Sequence, residues 1–128
     1  MGKFFDYYKT VMEEIESTNE GYVGVIIDPD RQTIESFEYT ENDLDMIRSK
    51  MKQPTEDSLN TIPGAVLLFD DKGLSKDDEF IFSLYDEPED IPVSGVGYII
   101  SGKNSSVKNI TVDEIKNNVR FGTAEELV

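Results

Sequence analysis

Five short runs of β-branched and aromatic residues, four of them closed by Gly, Pro, Asp or Ser, limit what this chain can become. They are residues 21–28 (GYVGVIID), 33–39 (TIESFEY), 65–69 (AVLLF), 79–85 (EFIFSLY) and 93–101, which holds VGYII. Such side chains suit a half-buried pleated surface. None of the runs approaches the length of a membrane span. Asp28-Pro29-Asp30 reads as a turn, so the first two runs predict an antiparallel hairpin. Alternation breaks at Glu35-Ser36, where a bulge is expected. Residues 65–69 are apolar throughout and predict a central strand. In the fourth run Phe80, Phe82 and Leu84 are expected on one face. Residues 53–63 read as a polar loop, and 86–92 as an acidic, proline-punctuated one.

Three segments carry helical signals. In residues 3–17, Phe4, Tyr8, Val11, Met12 and Ile15 form an apolar stripe, with Asp6, Lys9, Glu13 and Glu16 off it. Thr40 followed by Asp43 resembles an N-cap with an acid in the first turn. That helix would turn Leu44, Ile47 and Met51 inward and stop at Pro54. Thr111 and Glu114 make a capping box, with Ile110 and Ile115 placed as a hydrophobic staple, and predict a helix over 112–120. The expected fold is therefore α+β: about five mostly antiparallel strands with three helices packed on the sheet. A chain of 128 residues has room for one such domain, assigned here to 1–121, with 122–128 as a flexible tail.

Charge narrows the partners. There are 27 acidic and 12 basic residues, a net of −15. Residues 1–45 hold 12 acids and 3 bases (net −9), residues 46–92 hold 11 and 5 (net −6), and residues 93–128 hold 4 of each. Such a surface repels nucleic acid and anionic membrane and steers toward basic proteins. Solubility alone is the competing explanation for the charge. A globule this long is roughly 35 Å across, and duplex DNA of that length carries about 20 charges, so DNA mimicry is physically reasonable. The acidic surface would be built by Glu13, Glu16, Glu20, Glu35, Glu38, Asp86, Glu87, Glu89 and Asp90.

Catalytic signals are sparse. The chain has no His and no Cys, which removes the commonest general base, neutral metal ligand and thiolate. The acid pairs Asp28/Asp30, Asp70/Asp71 and Asp77/Asp78 sit in turn-like segments, where Asp bonds nearby backbone. Lys72 intrudes where a calcium loop would need an acid. Gly95-Val96-Gly97 lacks the third glycine and the helix of a dinucleotide site and instead marks a strand edge or a close backbone approach. No catalytic residue, metal or cofactor is expected. The N-terminal MGKFFD lacks the apolar core of a signal peptide, and a cytoplasmic, non-enzymatic protein is expected.

The segment order also resembles a family of small, acidic, phage- and plasmid-borne proteins of unknown function. The resemblance covers residues 21–121. It rests on the hairpin at 23–39, the helix after Thr40, Phe80-Ile81-Phe82, the run 95–100 (GVGYII) and the closing Thr111 with Val119-Arg120-Phe121. The helix at 3–17 is extra to it. The resemblance carries no catalytic residues; it implies a mobile-element setting.

Three functional readings follow. One is a phage or mobile-element inhibitor, anti-defence and DNA-mimic-like, that binds a basic host nuclease or other nucleic-acid-handling protein. A second is a protein that sequesters a nucleotide-like signal between two subunits of a homodimer, using Lys103, Lys108, Lys116 and Arg120 with the aromatic residues. A third is an immunity protein that neutralises a basic toxin.

Overall fold

A computed structural model describes residues 21–128. The expected helix at 3–17, and with it Glu13, Glu16 and Glu20, lies outside the described residues. Within them are eight strands in two antiparallel sheets, with three short helices. The strands are β1 (Tyr22–Asp28), β2 (Thr33–Tyr39), β3 (Pro54–Ser58), β4 (Ala65–Asp70), β5 (Ile81–Asp86), β6 (Glu89–Val93), β7 (Gly97–Ser101) and β8 (Val119–Gly122). The helices are α1 (Glu41–Ser49), α2 (Val112–Ile115) and α3 (Ala124–Leu127), and a 3-10 turn spans Lys116–Asn118. The large sheet runs β2-β1-β7-β4-β3 and the small one β6-β5-β8.

Alternation along each strand sorts the side chains into two cores. Val25, Ile27, Leu67 and Ile99 face the small sheet, where they meet Phe82, Leu84 and Val93. On the other face, Tyr39, Leu68 and Ile100 pack under Leu44, with Ile47 and Met51 beside them. The inward stripe expected for α1 is therefore correct, and the central strands β1, β7 and β4 are covered on both faces. The N-cap expected at Thr40 is a full capping box: its hydroxyl accepts from Asp43 N–H at 3.2 Å and its N–H donates to Asp43 Oδ2 at 2.8 Å. At Thr111 the N–H and hydroxyl both donate to Glu114 Oε1 at 3.0 Å, and Ile110 and Ile115 are fully buried as a staple should be.

Close approach explains two glycines. A Cβ on Gly97 would lie 2.5 Å from Phe82 Cζ, because the small sheet presses on β7 there. A Cβ on Gly24 would run into the carbonyl oxygen of Ile99 on the neighbouring strand. Just beyond, β7 leaves β1: their last pair is Val25–Ile99. Residues 108–110 take its place beside Val23, whose N–H donates to the Lys108 carbonyl at 2.8 Å and whose carbonyl accepts from Ile110 N–H at 2.9 Å.

That departure leaves Ser101 N–H in need of an acceptor, and the buried Tyr39 hydroxyl supplies one at 2.8 Å. Tyr39→Phe should therefore lower stability by about 1–3 kcal/mol, the usual result of orphaning a part-buried amide. Urea unfolding measures this, and an unchanged midpoint would show that water replaces the phenol.

Several expectations need correction. Eight strands replace the expected five. Residues 54–58 (PTEDS) are not loop but an edge strand, paired with β4 from Pro54–Asp70 to Ser58–Val66. Their polarity hid them, since an edge strand largely exposed to water needs little apolar alternation. Residues 89–93 are likewise an edge strand rather than loop, and Pro92 is tolerated at that edge. No bulge occurs at Glu35-Ser36; pairing with β1 is continuous from Tyr22–Tyr39 to Asp28–Thr33. Ser36 and Glu38 simply stay exposed on an edge strand. Phe80 does not join Phe82 and Leu84 but precedes β5 and is 53% exposed. The helix expected over 112–120 is one turn, after which Val119 begins β8. Nor is 122–128 a loose tail. Gly122 pairs with Ile81, Thr123 N–H and hydroxyl both donate to Glu126, and Ala124 is buried.

Candidate functional site

The acidic residues of the sequence do not form one array. Glu35 and Glu38 are exposed on β2, at one lateral edge of the large sheet. Glu87 lies in the turn joining β5 to β6, and Glu89 and Asp90 are exposed on β6. A cleft of about 270 Å³ between β3 and β6, lined by Asp57, Ser58, Asn60, Asp86, Glu89 and Ile91, shows where this hairpin sits. It lies over the opposite edge of the large sheet from β2. Asp57 on β3, which lines this cleft, therefore joins Glu87, Glu89 and Asp90 along one rim, whereas Glu56 alternates to the other face of β3, toward α1. Ion pairs among the described residues involve Asp28, Asp45, Glu56 and Asp113 as the acids. Glu56 is held there by Arg48 at 2.8 Å, and within the described residues the four rim acids Asp57, Glu87, Glu89 and Asp90 have no ion-pair partner.

Asp86 is a correction. Expected on the acidic surface, it is 5% exposed. Its carboxylate accepts from Asn60 N–H at 2.8 and 2.9 Å and from Thr61 N–H at 2.7 Å. Burial alone would raise its pKa, but these donors outweigh burial and hold it below the ordinary 3.8. The side chain locks the 59–64 loop to the end of β5. It contributes to the fold, while its exposed neighbours make the rim. Asp70 plays a similar backbone role, accepting from Lys52 N–H at 3.0 Å and Gln53 N–H at 2.8 Å.

The basic residues are dispersed as well. Lys116 pairs with Asp113 at 2.9 Å. Arg120 lies on β8 opposite Ser83, on the outer face of the small sheet and so across both sheets from α1. Lys108 is exposed beside the bridge to β1. Of the four basic residues Lys103, Lys108, Lys116 and Arg120, Lys103 alone borders a sizeable depression, a groove of about 610 Å³ between α1 and the turn after β7. Tyr22 and Tyr39 line it with their rings stacked, centroids 5.2 Å apart and planes 14° apart. Burial raises the Tyr39 phenol above its ordinary 10.0, against a smaller opposing effect of Ser101 N–H, so it is protonated at neutral pH.

Sequence reasoning missed β3 as part of the acidic rim, because Asp57 lies in a segment read as loop. It also missed the groove, which depends on the contact of Tyr22 with Tyr39 across a register that only pairing reveals. Among the described residues no helix is long and apolar enough to cross a membrane. The chain matches no protein-family model, no curated protein and no solved structure.

Proposed function

We propose that this chain is a non-enzymatic acidic binding protein that grips a basic partner with the rim formed by β3 and the β5–β6 hairpin. The observation that carries the reading is the set of rim carboxylates, Asp57, Glu87, Glu89 and Asp90, with no Lys or Arg paired to them among the described residues. Each lies on a strand or a two-residue turn, so sheet pairing fixes the backbone that carries the charges and keeps them close together at one edge. Such a cluster steers a cationic surface toward that edge. The net charge of −15 adds long-range attraction. The partner class is a nucleic-acid-handling protein, whose own cationic surface is built for a row of phosphates. The role as a phage or mobile-element inhibitor draws on the resemblance over residues 21–121.

The test is a tagged pull-down from bacterial lysate, followed by affinity measurement on the captured protein. Wild type should hold a basic partner that is released as salt rises, since exposed pairs are screened beyond about 8–10 Å at moderate ionic strength. The variant Glu87→Lys/Glu89→Lys/Asp90→Lys should bind at least about tenfold more weakly. Glu35→Lys/Glu38→Lys, on the other edge, should retain most of the affinity. Salt-resistant binding, or equal loss from both variants, would remove the rim from consideration.

A further inference from the structure

We infer that the groove between α1 and the turn after β7 is a binding site for a nucleoside monophosphate. At about 610 Å³ it falls within the usual range for small-ligand sites. Its walls are built and fixed. Tyr39 holds Ser101 N–H at 2.8 Å, and Gly102 N–H donates to the Gly64 carbonyl at 2.7 Å, so the 101–105 turn is tied at its base. The opposite wall is the first turn of α1, held by its capping box. A site with both walls tied down needs little ordering when a ligand arrives.

Electrostatics separates this groove from the other depressions on the described surface, where acids outnumber bases, two to one even beside Lys72 or Lys76. The cleft between β3 and β6 is lined by three acids and no base. A second depression that Tyr22 borders has Glu38 and Asp43 in its lining and no base. The α1 groove instead has two acids, Glu41 and Glu56, against two bases, Arg48 and Lys103. On a chain of net charge −15, it is a place where an anion meets no net local repulsion. Arg48 is already held, at 2.8 Å from Glu56 and 3.7 Å from Asp45. Lys103 is exposed and has no carboxylate partner among the described residues, so it is the cation left to meet a ligand.

The other lining groups complete the ligand's chemistry. Tyr22, backed by Tyr39 and half-buried, offers a supported aromatic face on which a planar base stacks. Glu41 is an exposed acceptor suited to sugar hydroxyls, and Asn104 and Ser105 supply further polar atoms beside Lys103. A flat ring, a polyhydroxyl and one anionic group together describe a nucleotide. Only one phosphate fits the balance, since each further negative charge adds repulsion from the acidic surface. This site lies on the α1 face and is independent of the rim.

Calorimetry at low salt, with AMP, GMP, CMP and UMP as separate probes at about millimolar concentration, tests it. At least one should bind one to one, at least about tenfold tighter than inorganic phosphate or its own nucleoside. Lys103→Glu, at an exposed position, should weaken binding at least tenfold while leaving the melting temperature close to that of wild type. Tyr22→Leu, which keeps apolar bulk but removes the ring, should weaken it by about fivefold or more. The rim variant should bind nucleotide like wild type. No binding by any of the four, or binding that Lys103→Glu leaves unchanged, would overturn the assignment.

Discussion

Phe82→Ala should lower stability by about 3–5 kcal/mol, the largest loss expected from any single change to this chain. Phe82 is completely buried and sits where the small sheet presses on the large one. Truncation there leaves a cavity that two hydrogen-bonded sheets cannot collapse to fill. Gly97→Ala approaches the same contact from the other side. Its new methyl would lie 2.5 Å from Phe82 Cζ and 3.1 Å from Leu67 Cδ1, so it should cost about 1–3 kcal/mol. The two sites are coupled, which gives a sharper test. Leu at position 82 has no atom where Cζ stands, so Gly97→Ala should cost about 1 kcal/mol less in a Phe82→Leu background. Urea unfolding of the four proteins measures the coupling. Additive effects would mean that the sheets do not meet at this point.

Asp86→Asn should cost about 2–4 kcal/mol and lower the melting temperature by roughly 3–5 °C for each kcal/mol. The carboxylate gathers the N–H groups of Asn60 and Thr61, and charge-assisted bonds of this kind are the strong ones. An amide presents one acceptor and turns an N–H toward donors. The same residue gives a pH signature. Its pKa is depressed in the folded protein, so its contribution is fully present above the unfolded value, near 3.8, and is lost as pH falls through the folded one. The gap between wild type and Asp86→Asn should hold steady from neutral pH down to about pH 5 and close below about pH 4. Melting curves across that range measure it. A gap that persists unchanged at low pH would show that the charge is not what holds the 59–64 loop.

The strands buried on both faces or with a clear apolar face were legible: 22–28, 65–70 and 97–101 carry enough Val, Ile and Leu to declare themselves. Helix starts were legible too, because capping is local chemistry written over four residues, as at Thr40 and Thr111. What escaped was set by position in the assembly. PTEDS and EDIPV are strands because a neighbour offers them a hydrogen-bonding edge, and nothing in their composition says so. Likewise Asp86 looks like any acid of its loop until Asn60 and Thr61 are brought to it across 26 and 25 residues of chain. The candidate site was largely legible: Glu87, Glu89 and Asp90 were read as surface, while Asp57 needed the sheet order.

The strand order also sets a timetable for biosynthesis. β1 pairs locally with β2, and β3 with β4, but the two hairpins share no edge until β7 enters between them. The ribosome must therefore emit at least the first hundred residues before the large sheet can close, and β8 is later still. Until then the inner edges of β1 and β4, rich in Val, Ile and Leu, wait unpaired, the condition under which nascent chains stick to one another. Each of these strands ends on an acid with another close behind it, Asp28 and Asp30 for the first, Asp70 and Asp71 for the second. Residues 1–92 carry all of the net negative charge, −9 and −6 in the two blocks, while the segment that completes the sheet is neutral. The acidity that a mature surface would spend on a partner thus also serves as a gatekeeper, holding half-made copies apart until the last strands arrive.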